Sequence, residues 1–481
     1  MNTVQRILKN MASLLISGAI AQSLTFVSIV YLARVLGPGD FGKINFALAI
    51  VVYFILIANM GLPLLGTREI AREKDRIKDY LGSILALRLS LAVLGFSLLL
   101  LMTFFLNKPL EIRYLIILYG LGLIPSALLL DWAFQGVEKM EYIGLGRILA
   151  AVIYVGLVLW FVKGHQQLLL IPCLHVVANL LSAGLLISIF VRHFGKPKFS
   201  FNLAFWKGLL RQALPIGVSI IMIQVIYHID TVMLGFMKGN KEVGHYNAAY
   251  KIILLLIMAG STYFDTIFPL ISSYYKTSLD SLRKLQFYTA KVGVTLALPL
   301  ALGGTILAKP IMNLTYGVKY GEGVVGLQIL IWVVALIYIN MVYGRGLWAC
   351  QKQNKYLMIV TFQALVNIVT NFVLIPPLGL KGAAISTMLA EAVGVFFYYG
   401  EFNKIVRVPF HNHVLKPAIA SMLMALFLLW GVNKGNLHVI SLILGGITIY
   451  FMFLYLLGGI KLEEVRLLQD AIIKKGSVVQ N

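Results

Sequence analysis

The chain has 481 residues, 59% hydrophobic and only 12% charged, with a mean hydropathy of +0.87, whereas a soluble domain carries about 25% charged residues. A membrane-spanning helix uses about 20 apolar residues, so roughly fourteen spans consume the apolar majority and exclude a sizeable soluble catalytic or nucleotide-binding domain. The 41 Lys+Arg against 19 Asp+Glu, a formal net charge of +22, would suggest nucleic acid in a soluble chain, but in a membrane chain this excess belongs mainly to cytoplasmic loops.

Arg6 and Lys9 precede an apolar run over Met11–Ala33 that ends without a small-residue cleavage site, which reads as a retained first helix. A window of about 19 residues predicts spans near 11–34, 44–66, 82–106, 114–135, 143–162, 168–191, 214–237, 246–271, 287–308, 324–347, 356–376, 382–400, 414–432 and 438–459. An even number puts both termini on one side. Of the 41 basic residues, 27 fall at the N-terminus, after even-numbered helices and in the tail, 12 fall in the opposite loops, and Arg88 and Lys291 lie inside segments. That bias predicts a multi-pass cell-membrane protein with both termini in the cytoplasm. The mixed charges of Thr67–Tyr80 read as a solvated helix, and Lys461–Lys475 puts Leu462, Val465, Leu468 and Ile472 on one face, as in an interfacial amphipathic helix. Cys173 and Cys350 lie in or beside apolar runs and imply no disulfide framework.

Four matches recur in the same order. Gly42-Lys43-Ile44-Asn45-Phe46-Ala47 returns as Gly244-His245-Tyr246-Asn247-Ala248-Ala249, Pro63-Leu64 as Pro269-Leu270, Arg88 as Lys291, and Trp132-Ala133-Phe134-Gln135 as Trp348-Ala349-Cys350-Gln351. Each pairs helix n with helix n + 6, so the copies share an orientation and form parallel repeats. The expected organisation is an N-lobe of six helices over 1–213, a C-lobe of six over 214–405, and two further helices with a cytoplasmic tail over 406–481. A substrate path between such lobes lies near the membrane midplane.

The stretches Leu130-Asp131-Trp132-Ala133-Phe134-Gln135-Gly136-Val137-Glu138-Lys139-Met140, Leu214-Pro215-Ile216-Gly217, Val243 to Lys251, and Asn367-Ile368 through Pro376-Pro377-Leu378-Gly379-Leu380-Lys381-Gly382 resemble the polysaccharide biosynthesis proteins. These are the Wzx-type flippases of lipid-linked oligosaccharides, in a superfamily shared with multidrug and toxin extruders. The resemblance implies an all-α polytopic fold with two six-helix lobes in a MATE-like V, plus two C-terminal helices. It also implies movement of a polyprenyl-pyrophosphate-linked glycan from the inner to the outer leaflet by alternating access, in company with other polysaccharide assembly proteins, without a cofactor and without nucleic acid.

Moving a pyrophosphate through hydrocarbon needs cations and hydrogen-bonding groups inside the bundle. A Lys or Arg at a helix centre costs about 2.5–3.5 kcal/mol even on the mild insertion scale, so Arg88 and Lys291 are the expected anion-handling pair, the alternative being that both snorkel to the headgroups. Losing both should abolish flipping at normal protein level. Arg34, Lys43 and Lys251 lie toward the outer helix ends. His228, Asp230 and Glu391 are the expected gate or ion-coupling groups, with Arg34 or Lys251 as partners for Asp230; Asp131 and Asp265 are further carboxylates. Asn45 and Asn247 suit sugar hydroxyls or interhelical bonds, and Pro63 and Pro269 suit matched hinges.

No GxxxxGK[ST] loop occurs, and His411 with His413 lacks a nearby cysteine, so neither ATP hydrolysis nor a metal site is expected. Two other readings share the pattern. A small-molecule antiporter would prefer an acidic interior, and a membrane glycosyltransferase or polymerase, the enzymatic alternative, would carry an outer loop longer than these.

Overall fold

A computed structural model of the chain describes residues 3–73, 76–199, 201–409, 411–435 and 437–459. Among the described residues the regular elements are all helical: α1 (Thr3–Asn59), α2 (Leu62–Arg72), α3 (Ile77–Phe105), α4 (Leu110–Gly120), α5 (Leu123–Leu128), α6 (Asp131–Gly136), α7 (Met140–Phe161), α8 (Leu170–Phe194), α9 (Leu203–Met237), α10 (Asn240–Thr277), α11 (Leu279–Tyr316), α12 (Gly323–Ala349), α13 (Gln353–Leu378), α14 (Leu380–Asn403), α15 (Leu415–Lys434) and α16 (Val439–Leu456). The expected tail helix, Lys461–Lys475, lies outside the described residues.

Thirteen helical spans among the described residues are long and apolar enough to cross a membrane, and the first, Ala12–Arg72, runs for 61 residues. That is about three times what one crossing needs. Its break lies within α1, where Gly37 adopts φ 73 and ψ 175 ahead of Pro38. Only glycine takes that backbone region without a Cβ clash, and a proline restarts a helix at no cost because the first N–H groups have no partner. Two crossings on either side of Gly37, with the other twelve spans, give the fourteen expected.

A second break ends α1 at Met60 and Gly61, with φ of 41 and 75. Pro63 therefore sits in the first turn of α2, whereas Pro269 lies deep inside the 38-residue α10. The two prolines of the expected matched hinges thus stand at different depths in their helices, and the bend before α2 lies at Met60–Gly61, just ahead of Pro63. The fourth span also departs from a single helix. It is built from α4, α5 and α6 in succession, with Leu129 extended after α5.

Contacts divide the chain into two compact units, Met1–Gly244 and His245–Asn481. In the first, Trp132, Phe134, Leu65, Ile84 and Phe190 form a buried core shared by α2, α3, α6 and α8, and α9 packs on α1 and α2. In the second, α15 and α16 cover α11 through Leu307, Met424, Leu428 and Tyr450. Large apolar side chains such as Phe104, Trp160, Phe372 and Leu456 point outward, as lipid-facing residues do, because hydrocarbon offers no penalty for their exposure.

Each unit repeats one turn. After α6, Glu138 takes φ 59 and the Lys139 amide bonds back to the Phe134 carbonyl at 2.9 Å; after α12, Gln351 takes φ 59 and the Lys352 amide bonds back to the Leu347 carbonyl at 2.9 Å. Both are helix ends of the kind that normally use glycine at the left-handed position, so two non-glycine residues in the same strained place support the internal repeat.

Candidate functional site

In the first unit Arg88 is a buried cation, 3% exposed on α3. Its Nε and Nη2 donate to Oδ1 of Asn59 at 3.2 and 2.7 Å, Nη1 donates to the Leu129 carbonyl at 3.0 Å, and Nη2 also donates to the Ser126 carbonyl at 2.6 Å. Asn59 ends α1, and the two carbonyls lie at the end of α5, where the break in the fourth span leaves them without intrahelical partners. A planar fork of donors serves several such acceptors at once. Arg88 therefore does not snorkel, and in this conformation four hydrogen bonds occupy the head group that a substrate phosphate would use. Lys291 has the matching depth, about three turns into α11, but is half-buried.

Polar contacts also brace the kink in α1. Nζ of Lys43 reaches Asp40 at 2.8 Å and Glu111 of α4 at 2.6 Å, and Nδ1 of His165 stands 3.8 Å from the same Asp40. Lys108, in the connection from α3 to α4, lies 5.5 and 5.3 Å from the Phe46 and Phe236 ring centres and donates to the Gly235 carbonyl at 2.9 Å, so one cation joins α1 to α9 through ring faces and a carbonyl. Lys43 thus serves an ion network rather than an open surface.

The second unit has a polar interior of different character. Gln363, Asn367 and Asn371 lie one turn apart on the buried face of α13, and Asn371 donates to Asn367 at 3.2 Å. Gln363 and Asn340 of α12 converge on Glu391 of α14, itself 8% exposed. Nη1 of Arg345 in α12 donates to Asp265 and, at 3.0 Å, to the Ser261 carbonyl of α10. The same unit also holds a wholly apolar hollow of about 370 Å³, lined among others by Ile252 and Leu256 of α10, Pro299 of α11, Ile331 of α12, Met424 of α15 and Ile443 of α16.

The other expected residues separate between the units. In the first, Arg34 is exposed on α1, Asp230 is 2% exposed on α9 and His228 half-buried there, and Asn45 is turned toward its own helix, donating to the Phe41 carbonyl at 2.8 Å. In the second, Asn247 is buried and Lys251 half-buried, both on α10. Asn59, Asn340, Gln363 and Arg345 were not among the expected residues. The amide stripe was readable from spacing of four residues within an apolar span; the acceptor role of the Leu129 and Ser126 carbonyls has no side-chain signature at all.

A model of the family described as polysaccharide biosynthesis protein matches residues 7–275. A relative from Escherichia coli (strain K12), provisionally described as an O-antigen transporter, is 26% identical over 380 residues, covering 77% of this chain and 90% of its own length. Among solved structures, the lipid II flippase MurJ in an inward closed conformation superposes with a TM-score of 0.73 at 14% identity, covering 91% of this chain and 97% of that one. An inward-facing multidrug resistance MATE family transporter of the MOP superfamily gives 0.64 at 17% identity, covering 80% and 95%. At these identities the two structures bear on the fold alone.

Proposed function

Because the family match takes in more than half of its residues, the chain belongs to the polysaccharide biosynthesis proteins, and we propose that it is a flippase that carries a polyprenyl-pyrophosphate-linked oligosaccharide from the inner to the outer leaflet. The family match is the observation that carries this reading. The E. coli relative's link to O-antigen supports a glycan cargo, and the multi-pass helical body supports transport rather than chemistry.

The geometry suits an amphiphilic cargo in a specific way. A pyrophosphate and sugars need fixed dipoles and cations, and the chain spends its buried polar groups inside two helical bodies. A polyprenyl tail needs the opposite, and the apolar hollow beside α15 and α16 offers it without a polar atom to desolvate. Lys291, Arg34 and Lys251 are assigned to the pyrophosphate, and Asn247 to sugar hydroxyls. Arg88 is assigned to holding together the broken fourth span, the second break of α1 and α3, so that this end of the first unit moves as one body. The two six-helix repeats, 1–213 and 214–405, are the moving parts of alternating access, and the Lys+Arg bias supports cytoplasmic termini in the cell membrane.

Purified protein in proteoliposomes containing a fluorescent polyprenyl-pyrophosphate glycan should expose the label to an outer-leaflet probe faster than empty vesicles do. Flux equal to empty vesicles, together with efflux of a cationic dye, would replace this reading with the drug antiporter that shares the fold.

A further inference from the structure

Glu391 lies in the middle of α14, where that helix packs on α12 and α13. Each neighbour meets it with an amide and neither with a cation. Nδ2 of Asn340 donates to Oε2 at 2.6 Å and to the Glu391 carbonyl at 3.0 Å; Nε2 of Gln363 donates to the same Oε2 at 3.3 Å and to the Ala390 carbonyl at 3.3 Å. Gly394, almost one turn further on, leaves the space they occupy, since a methyl there would overlap the Gln363 amide and stand 2.9 Å from Nδ2 of Asn340. Both donors thus serve one oxygen, and Oε1 receives neither. Oδ1 of Asn340, on a residue 8% exposed, is buried without a hydrogen-bond partner.

The ionisable groups on the packed helices do not neutralise this carboxylate. On α12, Arg345 is committed to Asp265 and the Ser261 carbonyl. On α13, Tyr356 is the titratable group in electrostatic reach, and its ring stacks between Trp348 and Tyr398 of α14, with centroids at 5.8 and 5.5 Å. A buried anion held only by neutral dipoles is costly, and a buried charge without a counter-ion tends to neutralise instead. The amides turn nitrogen toward it, which suits an oxygen anion and opposes a metal cation, and no group of three or more His, Cys, Asp or Glu among the described residues could hold a metal.

We propose that Glu391 is the proton-binding site of the transport cycle: its Oε1 takes one proton from water, the side chain passes from −1 to neutral, and Asn340 and Gln363 transmit the change to α12 and α13. With the charge present, both amides are drawn to Oε2 and three helices are tied at one point. With the charge gone, those bonds lose their ionic partner and weaken by about half, and α14 is released from its neighbours. This coupling step rests on the flippase reading; the binding of the proton does not.

Two measurements on the full-length protein in lipid separate the claims. Infrared difference spectra on acidification should show a protonated carboxyl band that is missing from Glu391→Gln and retained, shifted, in Glu391→Asp. In proteoliposomes with the labelled glycan, wild-type flux should vary with pH with a limiting slope of about tenfold per unit, as one essential proton gives, while Glu391→Gln should run at an uncoupled rate that an imposed pH gradient does not accelerate. A wild-type pH profile in Glu391→Gln, absence of a titrating band, or dependence on sodium in place of protons each overturns the proposal. A titrating band with no flux in either protein would leave proton binding in place and remove the flippase reading.

Discussion

Arg88→Ala is expected to destabilise the first unit by about 2–4 kcal/mol and to lower the amount of folded protein in the membrane. Removing the guanidinium orphans the Ser126 and Leu129 carbonyls and the Asn59 side chain, all of which it now satisfies. A buried acceptor left unpaired costs about 1–3 kcal/mol, and the void of the missing side chain adds to that. Interhelical hydrogen bonds in bilayers average nearer 0.6 kcal/mol, which sets the low end of the range. Against a total stability of about 5–15 kcal/mol, the loss is large enough to read as a lower melting temperature in detergent and a weaker band in membranes. Arg88→Lys should recover only part of it, because one ammonium cannot span three acceptors. The sequence-level expectation was different: loss of flipping at normal protein level on removing Arg88 with Lys291. A melting temperature equal to wild type in Arg88→Ala, with flux abolished, would return Arg88 to the substrate path and discard its role as the tie between helix breaks.

The fourteen crossings were legible because the constraint is one-dimensional: each needs about 20 apolar residues whatever surrounds it. Breaks within a crossing were not, since a hydropathy window averages over them. Gly120, Gly122 and Pro125 divide the fourth span, yet leave its mean apolarity intact. The buried cluster at Glu391 was half-legible. An intramembrane carboxylate stands out, whereas its partners Asn340 and Gln363 are separated from it by 51 and 28 residues and meet it only through packing. The repeat was legible in outline and misleading in detail. The Trp-Ala-x-Gln match aligns Gln135 with Gln351, but the backbone aligns Glu138 with Gln351, and Pro63-Leu64 resembles Pro269-Leu270 only as letters.

One repeat match proves to be physical. Gly42 and Gly244 occupy the same place in the two copies, four residues after Pro38 and Asn240 respectively, and in the first unit their backbones lie against each other. A methyl on Gly42 would overlap the Asn240 carbonyl oxygen and stand 2.9 Å from the Gly244 nitrogen; a methyl on Gly244 would overlap the Pro38 carbonyl oxygen and stand 3.0 Å from the Pro38 Cα. The contact is thus reciprocal, each glycine lying under the carbonyl that begins the other helix. Small residues permit such close approach where hydrocarbon supplies no hydrophobic drive between helices. Two opposing terms decide what alanine does here. Helix propensity favours Ala over Gly by about 1 kcal/mol, but the obstruction is backbone, which cannot rotate away, and overpacking of this kind costs about 1–3 kcal/mol. Sterics should win, so Gly42→Ala and Gly244→Ala should each lower the melting temperature. Gly184→Ala in α8, where the added methyl meets nothing within 4 Å, should leave it unchanged or raise it. Because the first methyl already forces the helices apart, the second should cost less, and the double variant should lose less than the two single losses together. Additive losses would mean that the two glycines are packed independently, and stabilisation by alanine at either one would mean that this close crossing is not part of the folded protein.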